Sequence, residues 1–228
     1  MIKQWLLDIL FPKFCASCKN EGDFLCSDCF NKIKVFSGYF CPVCGKRDFK
    51  PRKHPACAGK TFLKTLIVTT FYNDFLIREI IHAYKYNFIK PLAEPLSQLL
   101  IKSIEAPENG FSDFILIPIP LHPTRLKWRG FNQAELIAKK LSERYQITIE
   151  TNALIRAKNT TPQVEVGERE KRIENIKNAF FCPNSDLVKD QKIILVDDVS
   201  STGATLEEAA KTLKNSGAKE IWGMVIAK

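Results

Sequence analysis

Two adjacent carboxylates and a loop of hydroxyl side chains are the residues of this chain best suited to bind a small charged molecule. Asp197 and Asp198 follow residues 193–196, a continuous apolar run that predicts a strand buried on both faces of a parallel sheet. The loop leads into a helical pattern beginning at Leu206. Backbone N–H groups at a helix N-terminus bind phosphate, and carboxylates accept hydrogen bonds from sugar hydroxyls. The pattern indicates a ribose 5-phosphate ligand; the alternative is an ordinary strand–helix turn capped by Thr202.

A second group of residues has the spacing of metal ligands. Seven of the eight cysteines lie between positions 15 and 57, and together with one histidine they form four pairs. The pairs are Cys15 and Cys18, Cys26 and Cys29, Cys41 and Cys44, and His54 and Cys57. Eight such ligands suffice for two tetrahedral zinc sites.

The pairing of these ligands is open. We expect the first two pairs to share one zinc ion and the last two pairs to share another. In a cross-braced alternative, the first and third pairs would share an ion, and with a single zinc His54 and Cys57 would be bystanders. Disulfides are less favoured because they need an oxidising compartment, and we find no secretion signal. We expect Cys182, the remaining cysteine, to be a small buried apolar residue rather than a nucleophile.

The composition is that of a globular protein with one ordinary domain and one small module. The 228 residues are 45% hydrophobic and 26% charged, without a low-complexity tract. No apolar run approaches the roughly 20 residues that span a bilayer, so we expect no stable membrane insertion and a cytoplasmic location. Residues 1–10 predict a short amphipathic helix packed on the protein, and a peripheral membrane contact is the less favoured alternative.

Positive charge is concentrated in particular segments. The net charge is +9, and the first sixty residues hold eleven Lys or Arg against five Asp or Glu. That excess suits a phosphate-rich ligand or a nucleic acid, or simply solubility. One basic run surrounds Phe49 and comprises Lys46, Arg47, Lys50, Arg52 and Lys53. It is the best nucleic-acid candidate in the chain, although a solvated loop is the more common role of such a run.

The order of the predicted elements favours an α/β fold after about residue 60. Strands are expected at 66–72, 114–120, 178–182, 193–196 and 220–227, and helices at 75–86, 91–104, 134–145 and 206–214. A basic loop containing His122, Arg125, Lys127 and Arg129 joins a strand to a helix. In open α/β sheets, ligands bind at the carboxyl ends of the strands, which is where this loop begins. Arginine presents a bidentate fork to phosphate.

Several motifs resemble known proteins. Residues 192–206 resemble the phosphoribosyl-pyrophosphate (PRPP) motif of type I phosphoribosyltransferases. Residues 117–123 (Ile-Pro-Ile-Pro-Leu-His-Pro), 129–133 (Arg-Gly-Phe-Asn-Gln) and 83–86 (Ala-Tyr-Lys-Tyr) resemble the ComF family of phosphoribosyltransferase-like proteins. Short matches at 154–156, 161–163, 172–175 and 178–180 follow in order, and the N-terminal cysteine pairs also match. The resemblance covers essentially the full length.

The resemblance implies a fold and a site. The fold would be a type I phosphoribosyltransferase-like α/β domain over residues 61–228, with a mostly parallel sheet flanked by helices, preceded by a zinc-binding module over residues 1–60. The implied PRPP-binding residues are His122, Asp197, Asp198, Val199, Ser200, Ser201, Thr202, Gly203, Ala204 and Thr205. Arg125 and Arg129 would join the two acids as catalytic residues. A flexible loop over about 159–175 would close the site with Gln163, Arg169, Arg172 and Asn175.

Two functions follow from this resemblance. In the favoured one, the protein binds PRPP with Mg²⁺ and transfers the phosphoribosyl group to an unidentified acceptor, in connection with competence and DNA uptake. In the alternative, it is a non-catalytic single-stranded DNA-binding protein of the DNA-uptake machinery, and the zinc module and basic loops contact the strand. In either case, partner proteins of DNA uptake are expected.

Overall fold

The computed structural model describes residues 12–104, 110–160 and 169–228. The helix expected at residues 1–10 and the loop residue Gln163 lie outside the described residues, as do the side chains of Arg169 and Arg172. The strands in chain order are β1 Tyr39–Phe40, β2 Arg47–Asp48, β3 Thr65–Thr70, β4 Phe114–Pro118, β5 Thr148–Ile149, β6 Ile155–Arg156, β7 Phe180–Phe181, β8 Lys192–Val199 and β9 Glu220–Ala227. The helices are α1 Ser27–Lys32, α2 Phe75–Tyr86, α3 Ala93–Ser103, α4 Pro123–Arg129, α5 Gln133–Tyr145, α6 Arg169–Ile176 and α7 Ala204–Asn215.

The main sheet has the strand order β2-β1-β3-β9-β8-β4-β5. The strands β3, β9, β8, β4 and β5 run parallel to one another. Strand β8 lies near the middle of the sheet, between β9 and β4. Because both faces of β8 are covered, its residues 193–198 are all buried. The mostly parallel α/β fold is therefore confirmed.

The two faces of the sheet bury two separate apolar cores. Ile194 and Val196 of β8 point into the core beneath α2, α3 and α5, and Ile193 and Leu195 point into the core beneath α7. Alternate residues of a strand face opposite sides, so a continuous apolar run is what a doubly covered strand needs. The central strand is thus held rigidly, and the residues at its carboxyl end are held with it.

The zinc module is joined to the sheet by its own hairpin. Strand β1 pairs antiparallel with β2 and with β3, and Tyr39 lies opposite Ile67. A second link follows the module, where the carboxylate of Glu207 on α7 accepts hydrogen bonds from the Thr61 hydroxyl at 2.5 Å and from the Phe62 N–H at 2.8 Å. The antiparallel edge makes the sheet mixed rather than wholly parallel.

The predicted basic loop at 122–129 is largely helical, which corrects that prediction. Helix α4 begins at Pro123, whose ring is compatible with the first helical position, and the ring nitrogen Nδ1 of His122 accepts a hydrogen bond from Thr124 N–H at 3.3 Å. Gly130, with φ of 75°, ends the helix. This short helix is defined by its caps and not by an apolar pattern, so the sequence did not predict it as a helix.

Candidate functional site

The acidic pair lies at the carboxyl end of β8 and is almost completely buried. Asp197 is 8% exposed and Asp198 is 2% exposed. Oδ1 of Asp197 accepts a hydrogen bond from the Asp198 backbone N–H at 2.9 Å. Lys85, in the last turn of α2, places its Nζ 2.8 Å from Oδ1 of Asp198. Oδ2 of Asp198 has no hydrogen-bond partner among the described residues, so it remains an acceptor for a ligand.

The two acids are electrostatically different. Burial and the neighbouring Asp198 charge raise the pKa of Asp197 to about 7, against the opposing effects of Lys85 and Arg156. Burial alone would lower the pKa of Lys85, but the attraction of Asp198 and Asp197 outweighs it, and the net pKa is raised. Lys85 is therefore a fixed cation that compensates Asp198, whereas Asp197 is free to exchange a proton near neutral pH.

The loop after β8 has the geometry of an anion site. It forms an open hollow lined by Val199, Ser200, Ser201, Gly203, Thr205 and Leu206. Gly203 has φ of 80°, a left-handed conformation that favours glycine, and directly precedes α7. The Ser200 hydroxyl is buried without a partner among the described residues. A phosphate seated in the hollow would meet this hydroxyl and the positive end of the α7 dipole.

Three arginines form the basic side of the site. Arg129 and Arg156 are each 6% exposed, and Arg125 is half-buried. Thr160 joins two of them, because its carbonyl accepts from Arg125 Nη2 at 2.7 Å and its hydroxyl from Arg156 Nη2. Arg129 Nη1 donates to Gln133 Oε1 at 2.5 Å.

These arginines form no direct ion pair within the described part of the chain, although Asp197 and Asp198 attract Arg129 at longer range and Asp197 attracts Arg156. No carboxylate of that part of the chain forms a salt bridge with them, and Nε of Arg129 and of Arg156 is buried without an acceptor. Burial lowers the pKa of both groups, and the repulsion from Arg125 helps to bring that of Arg156 to about 10. Burying a cation without a counter-ion is costly, so the cluster is prepared for an anion.

The structure gathers most of the residues that the sequence singled out. The acids, the loop and Arg129 lie at one edge of the sheet, and His122 serves as the cap of α4. Residues 169–176 form α6, which lies largely within the segment 159–175 that was predicted to be a flexible loop. The sequence did not predict that Lys85, Arg156 and Thr160 take part in the site. Lys85 and Arg156 stand in motifs that sequence comparison detects, but their roles depend on contacts made through the fold.

The first cysteine cluster has the donors of a zinc site. The sulfur atoms of Cys15, Cys18, Cys26 and Cys29 lie within 4.8 Å of one another. Burial would raise the pKa of Cys15, but backbone N–H groups of Cys26, Cys18 and Ser17 donate to its sulfur and lower the pKa to about 6. The thiolate, which is the form that binds metal, is favoured at Cys15, whereas burial raises the pKa of Cys29.

The second cluster combines three sulfurs with an imidazole. Cys41, Cys44 and Cys57 have sulfur atoms within 4.8 Å of one another, and Nδ1 of His54 is 3.1 Å from Cys44 Sγ. Oδ2 of Asp48 lies 3.6 Å from the other ring nitrogen of His54. A carboxylate on the far nitrogen orients a metal-binding histidine, so Asp48 is a supporting residue, which the cysteine spacing alone did not reveal. In the structure the first pair of ligands lies with the second and the third pair lies with the fourth, rather than the first with the third. Both donor sets fit zinc.

The basic run of the module is partly engaged within the protein. Arg52 Nε donates to Asp48 Oδ2 at 2.7 Å, and Lys53 Nζ donates to the Thr61 carbonyl at 3.0 Å. Arg47 and Lys50 are exposed. Cys182, half-buried, donates to the Asn184 carbonyl at 3.3 Å.

Comparison with known proteins identifies both parts of the chain. A family model described as a phosphoribosyl transferase domain matches residues 127–228, and one described as a double zinc ribbon domain matches residues 6–60. Competence protein ComFC of Bacillus subtilis (strain 168) is 31% identical over 85% of this chain and 79% of its own length. This chain belongs to the ComFC family.

Other members of the ComFC family match over similar lengths. Competence protein F of Haemophilus influenzae is 30% identical, covering 89% of this chain and 90% of that protein. DNA utilization protein YhgH of Escherichia coli O157:H7 is 30% identical, covering 87% and 88% respectively. The predicted family, the phosphoribosyltransferase-type domain and the structural zinc module are thereby confirmed.

A solved structure, the allosteric regulatory enzyme of purine biosynthesis, has a TM-score of 0.39 and 15% identity over 58% of this chain and 25% of that chain. Within the described residues, no helix is both long enough and apolar enough to cross a bilayer.

Proposed function

We propose that this ComFC-family protein binds PRPP with Mg²⁺ and transfers its phosphoribosyl group to an acceptor. The observation that carries the proposal is the charge arrangement at the carboxyl edge of the sheet. A buried acidic pair faces a cluster of arginines, two of them buried, that forms no direct ion pair with a carboxylate among the described residues. A ligand with hydroxyls in its centre and phosphates at both ends complements this arrangement.

Each group has a distinct task in this proposal. Asp198, held by Lys85, and Asp197 accept hydrogen bonds from the ribose 2′- and 3′-hydroxyls. The hollow before α7 takes the 5-phosphate. Arg125, Arg129 and Arg156 neutralise the pyrophosphate, which carries away the electron pair of its bond to ribose C1 as the acceptor bonds to that carbon.

Mg²⁺ would be held mainly by PRPP oxygens, since this ion keeps several waters and takes few protein ligands. The unpartnered Oδ2 of Asp198 is the atom through which the chain can contribute. We place the protein in the cytoplasm and assign it a role in DNA uptake, supported by the relatives that are named competence and DNA utilization proteins.

Titration calorimetry with PRPP and Mg²⁺ tests binding, using Asp197→Asn as the site variant. We expect binding by the wild type and a loss of at least about tenfold in the variant, as for removal of a hydrogen bond to a charged group. Asp186→Asn, which alters an exposed carboxylate, is the matched control. No binding by the wild type, or equal affinity in Asp197→Asn, would refute the proposal.

Release of pyrophosphate separates transfer from binding. PRPP is incubated with candidate acceptors, and pyrophosphate is measured with the wild type and with Arg129→Gln. We expect release that requires an acceptor and falls in the variant. Tight PRPP binding without release in any acceptor mixture would leave a binding protein and remove the enzymatic half of the proposal.

A further inference from the structure

The last turn of α2 lies between the acidic pair and the arginine cluster. Two consecutive residues of this turn each contact one of them. Lys85 Nζ lies 2.8 Å from Oδ1 of Asp198. The ring of Tyr86 faces the guanidinium of Arg129, whose central carbon is 5.9 Å from the ring centroid. One turn of helix therefore reaches both charged halves of the site.

Tyr84 anchors this turn in the protein interior. Its side chain is fully buried, and its hydroxyl donates to the backbone carbonyl of Gln133 at 2.9 Å. The Tyr84 ring also packs on Phe131, with ring centroids 5.4 Å apart. Because the residue before it is held in this way, Lys85 has little backbone freedom to lose when it pairs with Asp198. Lys85 is thus a fixed part of the site and not a mobile surface lysine.

The charge at the acidic pair determines which cations can join it. When both carboxylates are ionised, Asp197, Asp198 and Lys85 together carry one net negative charge. A divalent cation added to these three groups would leave a net positive charge, in a site that already buries Arg129 and Arg156. Like charges at such short range repel one another, so Lys85 disfavours a divalent cation at the pair.

Without Lys85 the same carboxylates would suit a hard cation. Mg²⁺ and Mn²⁺ prefer carboxylate oxygens, and one divalent ion would neutralise two ionised acids. Oδ2 of Asp198 is buried and has no hydrogen-bond partner among the described residues, so it is an available ligand atom. The ammonium group of Lys85 thus takes the place that a bound cation would otherwise have.

We propose that Lys85 is a positioning residue that holds Asp198 towards the ribose hydroxyls and keeps divalent cations off the acidic pair until PRPP binds. PRPP brings its own negative charge, and its oxygens supply most of the ligands that Mg²⁺ needs. Mg²⁺ therefore enters the site with PRPP and not before it. The positioning role rests on the proposed function, whereas the exclusion of free cations does not.

Electron paramagnetic resonance of Mn²⁺ tests the exclusion on the full zinc-loaded chain without PRPP, because the signal of free Mn²⁺ falls when the ion binds. The wild type should bind no Mn²⁺ at the acidic pair, and Lys85→Met should bind about one ion per chain. Adding Asp198→Asn to Lys85→Met should abolish that binding. Lys192→Met, which removes another lysine paired with an aspartate, is the matched control and should bind none.

Lys85→Arg keeps the charge and should exclude Mn²⁺ as the wild type does. Circular dichroism verifies that each variant folds. If Lys85→Met does not fold, Lys85→Gln replaces it, because its amide can still donate to Asp198. Mn²⁺ bound at the acidic pair of the wild type would overturn the proposal. So would the absence of Mn²⁺ binding in a folded variant with a neutral residue at position 85.

Titration calorimetry with PRPP and Mg²⁺ tests the positioning. Lys85→Met should bind PRPP about tenfold more weakly, because Asp198 loses the group that orients it, and Lys85→Arg should recover most of the affinity. Equal affinity in Lys85→Met would overturn the positioning role. If the wild type binds no PRPP, the proposed function fails and the positioning role fails with it. The Mn²⁺ experiment contains no PRPP, so it still decides whether Lys85 excludes cations.

Discussion

The zinc module and the α/β domain both gather like charges, but they compensate them differently. Each cysteine cluster brings several thiols together without a lysine or arginine among the ligands, so its charge must be balanced by metal. In the α/β domain the chain itself pairs Asp198 with Lys85 and buries Arg129 and Arg156 without a direct ion pair. The uncompensated charge of each region indicates its ligand, a cation for the module and an anion for the domain.

The difference extends to what holds each region together. The α/β domain has two apolar cores, one on each face of its sheet, and fully buried strands. The module has short elements, such as the two-residue strands β1 and β2. Elements that short do not stand alone, and a structural metal substitutes for a core in small domains.

Removing zinc should therefore have the largest effect, and one confined to the module. Structural zinc contributes roughly 10–16 kcal/mol in zinc-finger peptides, so a strong chelator should unfold residues 12–60 while the sheet from β3 to β9 survives. Hydrogen exchange by mass spectrometry measures both regions in one experiment. Elemental analysis should give two zinc ions per chain before chelation.

Cysteine variants control the zinc experiment. Cys15→Ser should lose one zinc ion, whereas Cys182→Ser, outside both clusters, should lose none. If fast amide exchange spreads through β8 on chelation, the hairpin on β3 couples the module and the α/β domain into one folding unit, and zinc stabilises both.

The next effect tests the internal compensation of Asp198. Lys85→Met keeps the length of the side chain but leaves a buried carboxylate without its cation, which should cost about 3–5 kcal/mol. The free energy of unfolding in urea measures it. Lys192→Met on β8 is the control, because Lys192 pairs with the exposed Asp113 and should cost less than about 1 kcal/mol. Equal costs would mean that the Lys85 pair is no stronger than a surface pair.

A double variant shows whether the loss of stability in Lys85→Met is electrostatic. Adding Asp198→Asn to Lys85→Met removes the stranded charge and should restore part of the stability. Coupling of about 0.5–3 kcal/mol is typical of residues in direct contact. Purely additive effects would assign the loss to packing.

The sequence predicted what local patterns determine. The bounds of β9 match the prediction, and α2 begins after Asp74, which caps it through hydrogen bonds from the N–H groups of Leu76 and Ile77. The pairing of β1 with β3 and the contact between Lys85 and Asp198 join residues far apart in the chain. No local pattern specifies such contacts, so the acids were predicted and their cation was not.

The last prediction concerns Asp197, whose charge the chain does not fully compensate. Its folded pKa of about 7 lies above the ordinary value of 3.8, because of burial and the Asp198 charge. Between these pH values the folded state holds a proton that the unfolded state has released, so stability falls as pH rises, by at most about 1.4 kcal/mol per pH unit. Asp197→Asn removes this contribution.

The measurement is the difference in unfolding free energy between Asp197→Asn and wild type from pH 4 to pH 8. The variant should gain relative stability through this window and level off above it. A flat curve for Asp197→Asn would mean that Asp197 is ionised throughout. Lys85 and Arg156 would then already compensate both acids, and only Arg125 and Arg129 would retain unbalanced charge that calls for a ligand.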